Sequence, residues 1–267
     1  MHRAAAVAGQ FYPARPQVLT RELEGYLEKE VRQQAAVGCV VPHAGIMYSG
    51  HVAGAVYARL ELPPTVVILG PNHTGMGSPL AIMSEGTWET PLGSVSIDTE
   101  LAAAIQRACP ALEDDPHAHR AEHSLEVQVP FLQHLKPDLR IVPIALGVGD
   151  YEPLHELGEG LASVLETASP RPLLVASTDL NHYEPESIGR IKDHKAIDAI
   201  LALDPRGLYE TVRRERITMC GYGPTVAMLT AARLLGTEKA SLIRYATSGD
   251  VTGDRSHVVG YAGIIVH

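Results

Sequence analysis

Three apolar, strand-like segments of this chain each run into a polar cluster that contains histidine. Residues 37–41 lead to His43, residues 66–69 lead to His73, and residues 173–176 lead to Asp179 and His182. Imidazole is the commonest metal ligand in proteins, and parallel strands share one C-terminal edge, where ligands bind. We therefore expect these side chains to converge on one ion or substrate.

The spacing supports this convergence. The separation between His43 and His73 matches a strand, a crossover helix and a second parallel strand, and residues 49–60 are predicted to form that helix. Neighbouring parallel strands lie ~4.8 Å apart, so imidazoles at their ends could reach one ion. Alternatively, each histidine is a turn residue or a core residue bonded to a backbone carbonyl. The repetition at three strand ends favours the shared site.

Strand-like and helix-like segments alternate from end to end of the chain. This alternation predicts a three-layer α/β/α sandwich with a largely parallel central sheet and antiparallel edges. Residues 80–97 contain short β-like pieces around a Gly- and Thr-rich segment and are predicted to form a small hairpin excursion. The predicted helices include residues 16–33, 124–135 and 205–214. Because no linker interrupts the pattern, we expect a single domain over residues 1–267.

Composition narrows the functional class. The formal net charge of −9 argues against a nucleic-acid partner, because such binding depends on Lys and Arg that neutralise phosphates. Three cysteines are too few for a disulfide scaffold and predict a reduced, cytoplasmic protein. No apolar run resembles a signal peptide or a membrane span, so we expect no membrane partner. The 13 histidines equal all the Phe, Trp and Tyr residues together and are unusually numerous.

A titratable segment over residues 116–126 is a second candidate for chemistry. His119 and His123 are four residues apart and would share a face of a helix, and Glu122 and Glu126 have the same spacing. The segment lacks the His-Glu-x-x-His order of metalloproteases. A solvated helix start with Ser124 as its N-cap explains it equally well.

Cys220 lies at a flexible turn before a predicted helix over residues 223–235. Thiolates are stabilised at helix N-termini and by metal ions, so Cys220 is a candidate ligand. It could equally be a small apolar residue in a tight turn. For Cys39 and Cys109, which lie in strand and helix patterns, we favour a purely structural role.

Six short motifs occur together and in order in this chain. They are Ala8-Gly9-Gln10-Phe11-Tyr12-Pro13, Pro42-His43-Ala44-Gly45, Gly70-Pro71-Asn72-His73, Glu122-His123-Ser124-Leu125-Glu126, Ser177-Thr178-Asp179-Leu180-Asn181-His182 and Cys220-Gly221-Tyr222. With this combination the chain resembles the Memo family, including prokaryotic members labelled AmmeMemoRadiSam system protein B. That family is similar in fold to class III extradiol ring-cleaving dioxygenases, which are non-haem iron enzymes.

The resemblance implies roles for individual residues. His43, His73 and Cys220 would bind one transition-metal ion, and Asp179 and His182 would form an acid–base pair. In the alternative interpretation, Asp179 caps a helix and His182 only packs. A thiolate ligand favours Cu or Zn and is also compatible with Fe(II). We expect the bound ion to be Fe(II) or Cu, with Zn as the alternative. The expected substrate-binding residues are Phe11, Tyr48 and His123.

Two functions of different class remain open. The first is a non-haem, dioxygenase-like oxidoreductase that acts on a small aromatic or other oxidisable molecule, and the retained acid–base pair favours it. The second is a non-catalytic binding module that holds a peptide, an anion or a protein partner. It is favoured by Cys220, which stands where the dioxygenases have a carboxylate. Metal-assisted hydrolysis is a third possible function. Separately, the family label implies a partner from a radical-SAM system.

Overall fold

The computed structural model describes residues 1–267 and contains one twelve-stranded sheet with helices packed on it. The strands are β1 (His2–Arg3), β2 (Gly38–Val41), β3 (Thr65–Pro71), β4 (Leu80–Ile82), β5 (Thr87–Thr90), β6 (Gly93–Ile97), β7 (Glu113–Asp114), β8 (Arg140–Leu146), β9 (Leu173–Ser177), β10 (His182–Glu184), β11 (Ala240–Thr247) and β12 (Val258–Val266). The main path of the sheet runs β1-β5-β6-β8-β3-β9-β2-β12-β10.

Eleven helices surround the sheet. They are α1 (Pro16–Tyr26), α2 (Ile46–Tyr57), α3 (Thr99–Ala108), α4 (Pro116–His119), α5 (His123–Glu126), α6 (Val129–Leu135), α7 (Tyr151–Thr167), α8 (Glu186–Leu201), α9 (Pro205–Arg214), α10 (Tyr222–Leu234) and α11 (Gly249–Thr252). Helices α2 and α8 contact β11 and β12, whereas α10 contacts β2, β3 and β9 and packs against α7. No helix combines the length and the apolar composition needed to cross a bilayer.

The centre of the sheet is parallel, as predicted. Strands β6, β8, β3, β9 and β2 pair in parallel, and β12 then pairs antiparallel with β2, β10 and β11. Every residue of β2, β3 and β9 is buried, which explains their uninterrupted apolar sequences. Val41 pairs with Ser177 and Leu69 with Ala176, so the three strands end at the same level. The histidine-bearing segments therefore leave one edge of the sheet.

A hairpin forms within residues 80–97 and is joined to the main sheet, but its first strand, β5, lies inside the segment that was expected to separate the two strands. Strand β4 pairs with β7 and β8 instead. Strands β5 and β6 pair antiparallel, and Gly93 completes their turn with a φ of 116°, which a residue with a side chain rarely adopts. Strand β6 also pairs in parallel with β8. The hairpin therefore extends the sheet instead of standing apart from it.

Three helix predictions were wrong in their boundaries. The helix predicted over residues 49–60 begins and ends three residues earlier, as α2 (Ile46–Tyr57). The helix predicted over residues 16–33 ends at Tyr26, beyond which Lys29 and Glu30 have no buried face to present. The helix predicted over residues 124–135 is divided into α5 and α6, with Pro130 in the first turn of α6. The cap of α5 is Glu122, not Ser124, because the Glu122 carboxylate accepts the backbone N–H of Ser124.

Candidate metal centre

Three imidazoles meet at the C-terminal edge of the sheet. His43 lies between β2 and α2, His73 follows β3, and His123 begins α5. One ring nitrogen of each histidine lies within 4.8 Å of one ring nitrogen of each of the other two. The ring centroids of His73 and His123 are 4.6 Å apart, and that of His43 is 5.3 Å from His73 and 5.4 Å from His123. His123, expected as a substrate-binding residue, thus joins the two histidines expected as ligands.

A buried hydrogen-bond network determines which ring nitrogen of His43 carries the proton. The Ser177 hydroxyl donates to the Ser124 carbonyl at 2.6 Å and accepts from the Gln128 amide at 2.8 Å. That amide also donates to the Pro42 carbonyl, which identifies it as nitrogen. Since the Ser177 hydrogen is already used, its oxygen must accept from His43 Nδ1, 2.9 Å away. His43 Nε2 therefore keeps its lone pair for a cation or for a thiol.

Glu122 orients the His73 imidazole by a hydrogen bond and lies close to the His123 imidazole. Its Oε1 lies 2.9 Å from Nδ1 of His73 and 3.3 Å from Nδ1 of His123, and Oε2 accepts the backbone N–H of His73 at 2.5 Å. A carboxylate that accepts from Nδ1 fixes the ring and increases the basicity of Nε2. Glu122 was missed as a site residue, although the density of titratable residues around His123 was the signal that could have found it.

The protonation states suit a cation. Burial lowers the pKa of His43 well below its usual value, and the neighbouring His123 and His73 lower it further. Burial also lowers the pKa of His123, against the opposing effect of the Glu122 charge. Burial disfavours ionisation of Glu122, but hydrogen bonds from His73 and Ser124 lower its pKa to about 2. Neutral imidazoles beside an anionic carboxylate are the form that binds a metal ion.

Cys220 lies beside His43 but outside the group of three histidines. Its Sγ is 3.2 Å from His43 Nε2 and accepts the backbone N–H of Asp179 at 3.3 Å. The approach depends on Gly221, because a Cβ there would lie 2.3 Å from the Ser177 carbonyl oxygen. Burial and the Asp179 charge raise the pKa of Cys220, which is therefore a thiol unless a cation stabilises the thiolate.

Asp179 and His182 share the site without bonding to each other. Asp179 Oδ1 accepts the backbone N–H groups of His43 at 2.9 Å and Ala44 at 3.2 Å. His182 Nδ1 lies 2.9 Å from the Thr218 carbonyl, and its backbone N–H donates to the Thr218 hydroxyl. Burial raises the pKa of Asp179, and these backbone hydrogen bonds oppose that rise. Asp179 therefore positions the His43 loop, while Thr218 orients the His182 ring.

All eight residues that the sequence singled out as catalytic, substrate-binding or metal-binding line one cavity of about 800 Å³. The eight are Phe11, His43, Tyr48, His73, His123, Asp179, His182 and Cys220. The Phe11 ring lies 4.5 Å from the His123 ring, between centroids, so the amino-terminal segment also reaches the histidines. The cavity is of a size that accommodates a small molecule as well as an ion.

The suggested pairing of His119 with His123 was wrong. The two residues lie in separate helices, α4 and α5. His119 is fully buried against the Trp88 ring, does not line the cavity, and has no hydrogen-bond partner for either ring nitrogen. Burial and the nearby Arg3 lower its pKa to about 4, so it is a neutral core residue.

Comparison with known proteins places this chain in a family. The family model described as Memo-like protein matches residues 3–265. MEMO1 family proteins of Methanopyrus kandleri, Methanosarcina barkeri and Pyrobaculum arsenaticum are 46%, 47% and 41% identical to this chain. Each alignment covers 99% of this chain and 99% of the relative. The chain belongs to the Memo family.

Proposed function

We propose that the chain binds one transition-metal ion and acts as a non-haem metal-dependent oxidoreductase. The protein ligands are the ring nitrogens of His43, His73 and His123, with the Cys220 sulfur beside His43 as a further donor. The observation that carries the proposal is the group of three imidazoles whose ring nitrogens lie within 4.8 Å of one another, with the rings of His43 and His73 oriented by buried acceptors. Imidazole suits Fe, Cu and Zn, and a thiolate adds affinity for Cu and Zn. Fe(II) or Cu is the proposed ion, and Zn is the alternative.

The residues around the proposed ion have distinct tasks. A bound Fe or Cu ion would supply one-electron and O₂ chemistry. His182 Nδ1 is occupied by the Thr218 carbonyl, which leaves Nε2 to take a proton from a substrate and return it. Asp179 holds the backbone of the His43 loop, and Phe11 and Tyr48 provide aromatic walls for a substrate.

Metal content tests the proposed site. Protein purified without added metal would be reconstituted anaerobically with Fe(II), Cu(I) or Zn(II) and measured by elemental analysis. We expect one ion per chain in the wild type and its loss in His43→Ala and His73→Ala, with unchanged far-UV circular dichroism. His134→Ala is the control, because His134 lies on α6 outside the cavity. Equal metal content in all four proteins would contradict the proposal.

A non-catalytic binding module is the second candidate. It is supported by the raised pKa of Cys220, which keeps the sulfur protonated where a carboxylate would be ionised, and by a cavity much larger than an ion. Oxygen uptake by the anaerobically metallated protein, with a catechol or ascorbate as reductant, separates the two functions. Uptake that disappears in His182→Ala supports the enzyme. Absence of uptake by fully metallated protein supports the module.

A further inference from the structure

Tyr183 is exceptional among the residues that line the cavity. Its backbone φ is 58°, in the left-handed region that bulky side chains rarely adopt. Its side chain is also the most exposed large hydrophobic group of the chain, with 73% of its surface accessible. An exposed aromatic ring on a strained backbone contributes little to folding, so its position calls for another explanation.

The conformation of Tyr183 is imposed by its neighbours. Strand β10 pairs with β12 through His182 and Glu184, and the register shifts between them, so that Tyr183 occupies a bulge. His182 is held by Thr218, and Glu184 binds Lys192 at 2.8 Å. Bulges beside active sites commonly redirect a side chain. Here His182 and Glu184 on either side are held by Thr218 and Lys192, and the Tyr183 side chain lines the cavity.

The charge of the cavity wall indicates which kind of ligand the Tyr183 ring could contact. The lining includes neither Lys nor Arg, and its one carboxylate, Asp179, is occupied by backbone N–H groups. The walls apart from the histidines, Asp179 and Cys220 are neutral, and they include the aromatic rings of Tyr48 and Tyr261 and the hydroxyls of Ser248 and Thr252. An anionic group would find no cationic side chain of Lys or Arg there, whereas a flat, uncharged molecule would find several rings.

We propose that Tyr183 is a specificity-determining residue whose ring packs against a flat, uncharged ligand in this cavity. The inference rests on the proposed function only in assigning the ligand to the same cavity. The strained backbone is retained because it holds the ring at the ligand, which is a known use of local strain at binding sites. Binding of such a ligand does not require the metal ion.

Matched aromatic probes test the proposal on metal-free protein. Binding of 2-naphthol and 2-naphthoate, which differ in charge, would be measured by titration calorimetry at neutral pH. We expect the wild type to prefer 2-naphthol. Tyr183→Gly should weaken 2-naphthol binding roughly three- to tenfold through loss of ring contact, and should raise the melting temperature by about 2 °C through relief of strain. Tyr183→Phe should retain wild-type binding.

Glu30→Gly is the matched control. Glu30 also has a left-handed backbone, with a φ of 56°, and is exposed outside the cavity. This variant should gain stability without a change in 2-naphthol affinity. The proposal would be overturned by any of three results. These are an unchanged 2-naphthol affinity in Tyr183→Gly, a lower melting temperature in that variant, and a preference of the wild type for 2-naphthoate. Metal content measured on Tyr183→Gly separates this failure from failure of the metal site.

Discussion

Glu122 and Glu126 are four residues apart and both fully buried, yet they serve different parts of the molecule. Glu122 accepts a hydrogen bond from the His73 ring, and its carboxylate lies 3.3 Å from His123 Nδ1, beside the candidate metal centre. Glu126 makes no hydrogen bond or ion pair with these rings, although its charge contributes a small rise to the pKa of His123. The comparison shows that a buried carboxylate is not by itself a sign of function, because its partners decide what its charge stabilises.

Glu126 holds the amino-terminal segment against the core. Its oxygens accept from the Arg3 guanidinium at 2.6 Å, from the backbone N–H groups of Ala6 and Val7 at 2.9 and 3.0 Å, and from the Tyr12 hydroxyl. Arg3 is buried as well, so the pair is an ion pair removed from water. Loss of one member of such a pair leaves an uncompensated charge in the interior. The role of Glu126 is therefore structural.

The largest expected effect is on folding, in Glu126→Gln. We expect the free energy of unfolding to fall by ~3–5 kcal/mol, because Arg3 loses its only carboxylate partner and an amide group faces several donors. Urea denaturation measures the loss. Metal affinity of the folded fraction should be unchanged. Glu24→Gln, on the exposed face of α1, is the control, and an equal cost in both variants would remove the contrast.

The second effect is a dependence of stability on pH that belongs to Glu122. Its pKa is about 2 in the folded protein against an ordinary value of 4.5, so the unfolded chain binds the proton more readily. The resulting stabilisation is present above about pH 4.5 and is lost as the pH falls towards 2, with a total of roughly 3 kcal/mol. Urea denaturation of metal-free protein between pH 5 and pH 3 should show a steeper decline in the wild type than in Glu122→Gln. An equal decline of stability with pH in the two proteins would mean that the hydrogen bonds of Glu122 do not lower its pKa in the folded state.

The third effect is on metal affinity in Glu122→Gln. The amide nitrogen that replaces one carboxylate oxygen cannot accept the backbone N–H of His73, and the neutral oxygen accepts less strongly from the His73 ring, so the orientation of His73 weakens. We expect metal to bind roughly 10- to 100-fold less tightly, as for other carboxylates that orient histidine ligands. Competition with a chelator measures the change. Glu126→Gln is the matched comparison, and equal losses in the two variants would show that both carboxylates support the site.

Much of the fold could be predicted because local patterns and tertiary packing agree. Residues 66–69 and 173–176 are short, continuous apolar runs of the kind typical of buried parallel strands, and they lie in β3 and β9. Residues 205–214 begin after Asp204, whose side chain caps α9 at Gly207 N–H. The division between α5 and α6 was not predicted, because α5 is short and is held by contacts of Glu122 that are distant in sequence.

The site was predictable in its location and less so in its contacts. His43 and His73 follow strands of a parallel sheet, and topology alone brings such positions together. Side-chain pairing depends on distances that no spacing reveals, so the bond of Asp179 to the His43 loop and that of His182 to Thr218 were missed. The radical-SAM partner, the absence of a nucleic-acid partner and the cellular compartment stay predictions.

The smallest expected effect is that of Tyr12→Phe, which tests whether the two glutamates act independently. Burial and the Glu126 charge raise the pKa of Tyr12, so its hydroxyl stays protonated and donates to Glu126. Removal of this hydrogen bond should cost ~1.5 kcal/mol in urea denaturation, since Glu126 keeps Arg3. Metal affinity should not change, although Tyr12 adjoins Phe11 in the cavity wall. If Tyr12→Phe kept normal stability but lost its metal, the separation between Glu122 as a site residue and Glu126 as a structural residue would be contradicted. Glu126 would then affect the metal site through Tyr12 and Phe11.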